Sequence, residues 1–331
     1  MSPGLLGAVL GVALVIVIGV SLTLGAASLS LAEVGAALWA RLGGASVDPL
    51  VEGIVWDLRM PRIVTAALVG AGLGVAGVVM QAVTRNPLAD PYLLGLSSGA
   101  SFGAVAVLLA GLTFLLPVAA FAGALIAVVA ALGLASAMGG LTPSRTVLAG
   151  VGVSAFGAAL TSFGVFWFVT GDSYREVLSW LLGSVAGARW PEVLIAAGAF
   201  LVAGLPLLLT GRMLDAFAFG DTSAAALGIN VPRTRWLMLG LAALLTGGLV
   251  SVSGSIGFVG LVLPHAVRLL VGPGHRALLP LSALAGGVFL VLADTLARTL
   301  FDPRELPVGV ITALVGAPVF ALLLLRSRAR T

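Results

Sequence analysis

The sequence predicts an all-α polytopic membrane protein of about ten transmembrane helices with both termini cytoplasmic. Three observations carry that prediction. Apolar runs of bilayer-crossing length fill most of the 331 residues, and hydrocarbon about 30 Å thick needs roughly 20 residues at helical rise. Hydrophobic residues make up 60% of the chain and charged ones 9%, with a mean hydropathy of +1.18, which leaves little for a water-facing domain. All 17 basic side chains are arginine, and they collect near the ends of the apolar runs.

The runs place ten spans at 5–24, 63–83, 93–112, 115–138, 146–169, 193–209, 237–253, 256–271, 278–297 and 308–325. No arginine precedes the first run, where a cleaved signal peptide would carry a positive segment, so it is expected to stay as a span. Turn-forming connectors separate most of the others: Asn86-Pro87-Leu88-Ala89-Asp90-Pro91, Leu141-Thr142-Pro143-Ser144, Pro232 and Pro273-Gly274. The eighth run is short and contains Pro264, which predicts a kinked or broken helix. Gly70 and Gly74 in the second run, and Gly95, Gly99 and Gly103 in the third, follow the four-residue spacing that lets helix backbones approach in lipid. That spacing fits packing within one bundle, or a seam between two copies. The chain shows neither an internal repeat nor a linker, so residues 1–331 read as a single transmembrane domain.

Arginine placement sets the orientation. With the N-terminus inside, the inner connectors hold ten arginines (Arg85, Arg145, Arg212, Arg233, Arg235, Arg268, Arg276, Arg326, Arg328, Arg330) against Asp90, Asp215 and Asp221, a net +7. The outside holds seven arginines and ten acids, a net −3, and the two together give the +4 of the whole chain. The high isoelectric point therefore follows from topology and does not point to nucleic acid.

Composition also excludes chemistry. The absence of cysteine removes disulfides, iron–sulfur ligation and thiol catalysis. The absence of lysine removes a Walker A phosphate loop and any Schiff base. No general acid–base pair, nucleophile triad or metal cluster stands out.

The inner connector at about 210–235 is the most informative loop. Asp221 can cap a short helix over 222–227, Gly228 suits a left-handed stop, and Pro232 prevents continuation. From the residues alone this is either a loop helix packed on its own bundle or a docking helix for a soluble partner.

Longer patterns then resemble one family. Arg59-Met60-Pro61-Arg62 and the run Gln81-Ala82-Val83-Thr84-Arg85-Asn86-Pro87-Leu88-Ala89-Asp90-Pro91 look like the signature of the FecCD family of ABC importer permeases. Gly220-Asp221 with Leu227-Gly228, the run from Gly257 to His265, Ala293-Asp294 with Ala297-Arg298, and Glu305-Leu306-Pro307-Val308-Gly309 agree with it. The resemblance implies an inner-membrane permease for ferric siderophore, haem or cobalamin, dimeric with a second copy of itself. It implies two ATP-binding subunits inside, where ATP and Mg would sit, no cofactor in this chain, and a solute-binding protein outside. It assigns ATPase coupling to Asp215, Gly220, Asp221, Ala225, Leu227 and Gly228, and binding-protein docking to Arg59, Arg62 and Arg298. Arginine suits docking because its planar fork grips a carboxylate through two bonds. The competing reading of the three arginines is that they snorkel to headgroups or pair with acids such as Asp57.

Thr142, Pro143 and Ser144 match the inner gate of cobalamin-type relatives, although Pro143 stands where a small hydroxyl residue is common; an ordinary tight turn is the alternative. Ser154, Thr161, Ser162, Phe163, Phe166 and Trp167 mark the fifth span as the path-lining helix, against a lipid or bundle face. His265 is expected to bond a backbone carbonyl and His275 to be solvated. Asp294 is the acid set deepest in a span, a functional candidate by position, with Arg298 at i+4 as its expected ion-pair partner. An ion-coupled secondary transporter would need more midplane ionisable groups than this, and an intramembrane enzyme would need a catalytic constellation.

Overall fold

The computed structural model describes residues 1–25, 27–44, 46–169, 171, 173–301 and 304–328, with side chains throughout except at 324 and 326–328. Of the charges counted for orientation, Asp172, Asp302 and Arg330 lie outside the described residues, as do the side chains of Arg326 and Arg328. Ten apolar helices are present in the expected order. They are α1 Pro3–Thr23, α2 Met60–Thr84, α3 Leu96–Leu109, α4 Leu116–Ala137, α5 Pro143–Phe168, α6 Trp190–Leu208, α7 Val231–Ser253, α8 Val259–Val271, α9 His275–Thr299 and α10 Val308–Arg328. Seven of the spans are long enough to cross a bilayer unaided; α3, α8 and the described apolar part of α10 are shorter. Connectors carry helices of their own, at Leu31–Arg41, Ser173–Leu182, Gly211–Ala218 and Asp221–Ala226, of which only the last was expected from the sequence. The first begins with Ser30 and Glu33 in a reciprocal capping box, which satisfies two otherwise orphaned backbone donors.

The second span is the axis of the bundle. It extends outward as Pro49–Thr84, and 78% of its most apolar window is buried, against 17% in α1 and in α5. Helix α2 packs on α9, α7 and α8, and glycine makes those contacts possible. A methyl group on Gly70 would collide with the backbone of Gly286, on Gly74 with that of Ser282, and on Gly77 with that of Gly260. Gly99 and Gly103 meet the backbone of Gly123 and Ala119 in the same way. At these positions the small-residue spacing serves packing inside one chain.

Two stretches outside the α-helices meet within the bundle. The short turn Pro91–Leu94 leads into α3, and Gly254–Phe258 leads into α8, where Phe258 takes a left-handed φ of 68°. The Tyr92 hydroxyl accepts from Ile256 N and donates to Ile256 O, both at 3.1 Å. Ser97 Oγ lies 2.7 Å from Ser255 Oγ. Backbone groups released from helical bonding thus find partners away from water, as a bilayer demands.

Helix α8 is unbroken through Pro264, so of the expected kink or break, the break does not occur. Proline cannot donate to the carbonyl four residues back, here Gly260. Gln81 Nε2 donates to Gly260 O at 3.4 Å and to Leu261 O at 3.2 Å, and Gln81 Oε1 accepts from Arg268 Nη2 at 2.9 Å. Gln81→Leu should therefore leave buried carbonyls and a guanidinium without partners and destabilise the bundle by about 1–3 kcal/mol. Thermal unfolding in detergent reads this directly, and an unshifted transition would show that Gln81 does not support α8.

Candidate functional site

At the outer end of the bundle, Arg59, Arg62 and Arg298 come together, but not as solvent-facing side chains. They are 6%, 8% and 7% exposed. Arg59 closes the π-helical turn Ile54–Arg59 and reaches back to α1, donating to Leu22 O at 2.5 Å and to Ala27 O. Arg298 donates from α9 to Ser21 O and to Ser21 Oγ, the latter at 2.6 Å. Two of the three arginines therefore tie down the outer end of α1.

Asp294 corrects its expected pairing. Its carboxylate does not take Arg298 at i+4; it accepts from Arg62 Nε at 2.9 Å and Arg62 Nη2 at 2.9 Å across the α2–α9 interface. Arg62 Nη1 extends the network to Glu305 at 2.7 Å. A guanidinium reaching across the interface engages the carboxylate side-on with two donors, and Arg298 is already turned toward α1. Asp57 pairs with none of the three.

Above this network lies a cavity of about 430 Å³ lined by Arg59, Arg62, Arg189, Arg298 and Glu305. Arg62 is neutralised by two carboxylates, so Arg59, Arg189 and Arg298 leave the cavity net positive. Its chemistry suits a carboxylate entering from outside.

At the inner end, the connector folds as two short helices with a small core shared with the start of α7, Ala216, Phe217, Ala224 and Val231. Asp221 does not cap the second helix. Gly220, with φ +94°, is the N-cap residue and Asp221 the first helical residue. Its carboxylate is drawn to Arg235 Nη2 at 2.9 Å and lies 3.7 Å from Arg85. Gly228 adopts φ +81°, the expected left-handed stop. Phe219 and Leu227 are 77% and 70% exposed, and Ala225 is exposed beside them, so the loop presents an apolar tip. Asp215 faces the other way and accepts from both the backbone N–H and the ring of His275, each at 2.8 Å. His275 is thus the buried first residue of α9 and not a solvated loop residue.

Thr142, Pro143 and Ser144 form a helix start where a loop was expected. Thr142 is the N-cap of α5, and its hydroxyl accepts from Arg145 N at 3.4 Å. Pro143 occupies the first helical position, where no backbone N–H is needed, and Ser144 is exposed. The expected path residues divide along α5. Ser162, Phe163, Phe166 and Trp167 form an exposed stripe, with the Phe163 and Trp167 rings stacked at 6.0 Å. Ser154 is half-buried, while Thr161 is buried and donates to Gly157 O at 2.9 Å, so it faces the bundle. His265 has neither ring nitrogen bonded, against the expected carbonyl contact. Among the described residues no group of three His, Cys, Asp or Glu could hold a metal ion.

Sequence reasoning missed the roles of Gln81, Tyr92, Asp215 toward His275, and Arg235. Their partners lie 60 to 187 residues away in most of these contacts, and no local pattern announces them.

Residues 13–326 match the FecCD transport family. The chain is 45% identical to the cobalamin import system permease protein BtuC of Halobacterium salinarum over 88% of this chain and 80% of that protein. It is 40% identical to the hemin transport system permease protein HmuU of Yersinia pestis, over 99% and 97% of the two chains. Among solved structures, an inward-facing metal-chelate-type ABC transporter superposes with a TM-score of 0.86 at 33% identity, covering 98% of this chain and 99% of that one.

Proposed function

From the premise that this chain belongs to the FecCD transport family and is a multi-pass permease subunit of an ABC importer for metal chelates, we propose that it carries an iron chelate inward, a ferric siderophore by preference. Haem and cobalamin are the neighbouring choices, since relatives bear those names. Two copies form the path, with the exposed aromatic stripe of α5 facing its counterpart. Two separate ATPase subunits dock on the apolar tip at Phe219 and Leu227, and a solute-binding protein docks at the outer cavity. The exposed inner tip is the observation that carries this reading: large apolar side chains held at an aqueous face by a dedicated small core fit a permanent protein partner. The scarcity of ligand clusters among the described residues supports a cargo that arrives already chelated.

The test reconstitutes the chain in liposomes with its cognate ATPase and binding protein and follows labelled ferric siderophore, haem and cobalamin. Uptake should require all three components and ATP, and the chain alone should hydrolyse none. Uptake driven by an ion gradient without the ATPase would overturn the reading, and haem or cobalamin uptake exceeding siderophore uptake would overturn the cargo.

A further inference from the structure

We propose that Arg235 is a positioning residue that relays movement of the two coupling helices to the gate segment at Thr142. The inference rests on the inner connector being the seat of the ATPase. Arg235 stands in the first turns of α7, 4% exposed, and a single guanidinium there touches three elements. Nη2 donates to Asp221 Oδ1 at 2.9 Å on the second coupling helix. Nη1 donates to Leu141 O at 2.7 Å, the residue just before the Thr142 cap of α5. The guanidinium also lies 5.6 Å from the centre of the Phe217 ring on the first coupling helix.

Three further observations separate a relay from a staple. The second coupling helix packs through Ala224 into a small core shared with Phe217 and the start of α7, apart from the bundle core that holds Leu214 of the first, so the second helix can shift on the first. Between them and the gate segment lies a cavity of about 450 Å³, lined by Leu141, Thr142, Asp221, Ala225 and Arg235. The guanidinium spans that gap where direct packing is thin. Asp221 also has a second cation near it, Arg85 at 3.7 Å at the left-handed end of α2. A displacement of less than 1 Å would exchange its partner. Arg235 Nε, buried without an acceptor, offers a spare donor for the second arrangement. Two discrete pairings of one carboxylate, at the contact between moving part and gate, are what coupling through packed groups requires. Arginine suits the position because its rigid fork fixes two acceptors relative to one another, which an ammonium point charge does not.

The chain has no cysteine, so Ser144→Cys gives one spin label per copy at the exposed start of α5. The complex with its cognate ATPase and binding protein, in nanodiscs, yields the distance between the two labels with and without ATP. Arg235→Met should abolish most of the nucleotide-dependent change in that distance. Substrate moved per ATP hydrolysed should fall about tenfold, within the range by which a network residue modulates coupling. Asp221→Asn should blunt the gate response in the same direction, and the double variant should be no worse than Arg235→Met alone, because both interrupt one connection. Arg235→Lys should keep the ATPase bound yet recover only part of the gate response. A wild-type distance change in Arg235→Met, additive losses in the double variant, or loss of ATPase binding in Arg235→Lys would each overturn the relay. A wild-type complex in which ATP moves neither label nor cargo would instead overturn the transporter reading, and the relay with it.

Discussion

Asp294→Ala is expected to cost the bundle about 3–5 kcal/mol, the loss that follows when one partner of a buried ion pair is removed. The Asp294 side chain is 2% exposed and holds Arg62, itself 9% exposed, through a side-on pair of bonds. Without it the guanidinium keeps only Glu305, whose side chain is 47% exposed and wet. The surviving charge would then sit between α2 and α9, the most closely packed helices of the bundle. Thermal unfolding in detergent should show a large downward shift. Replacing both partners, Arg62→Met with Asp294→Leu, should recover part of it, since the Arg62 charge is no longer buried unpaired while buried Arg298 still loses a nearby counter-charge. Glu305→Gln should cost less than about 1 kcal/mol because its pairing is exposed. If Asp294→Ala melts with the wild type, the network holds nothing together. The same contacts complicate Arg62→Glu as a probe of docking: three carboxylates would face one another, and loss of folding would mask any loss of partner. Arg189, which lines the cavity from a connector, is the cleaner position.

Combining Leu227→Asp with Gly228→Pro should lower uptake and ATPase co-purification by at least about tenfold, because losing a central apolar anchor of an interface costs about 2 kcal/mol or more. Leu227 is 70% exposed at the tip of the loop, and a carboxylate there replaces the apolar contact. Gly228 stands at φ +81°, which proline, locked near −65°, cannot adopt. The preceding helix would lose its stop, including the Ile229 N to Ala224 O bond of 3.1 Å. The bundle core contains neither residue, so insertion and the melting transition should stay near wild type. Undiminished co-purification would move the ATPase seat elsewhere.

The order of the spans, the second short helix of the inner face and the glycine spacing were legible because each depends on local composition or spacing. An apolar run reports its own length, and Gly228 reports the backbone conformation it alone tolerates cheaply. The charged contacts were legible only as candidates. Arg298 stands one helical turn after Asp294, and the i,i+4 rule favours that pair, yet helix packing turned Arg298 toward Ser21 and brought Arg62 in from 232 residues away. Pro264 sits in an unbroken helix for a related reason: the donor that serves the carbonyl it leaves free, Gln81, belongs to α2. Asp221 looked like a cap by position, but the pull of two arginines outweighed the backbone amides it could have served. In each case a local preference, about 0.2–0.5 kcal/mol for the i,i+4 pair and about 1 kcal/mol for the cap, met a tertiary partner the linear pattern does not contain.

The pinned junction of Tyr92 with Ile256 also constrains the order in which a bilayer can accept this chain. Helices α3 and α8 have 14 and 13 residues, so each reaches only about 20 Å at helical rise, short of the roughly 30 Å of hydrocarbon. Helix α3 is preceded by a 3-10 turn and α8 by a non-helical stretch, and the hydroxyl that serves the latter arises 164 residues before the backbone it binds. Emerging from the ribosome, α3 therefore arrives as an unfinished crossing. The bundle is thus closed by distant parts, residues of the C-terminal third completing the polar pairing of a turn in the N-terminal third.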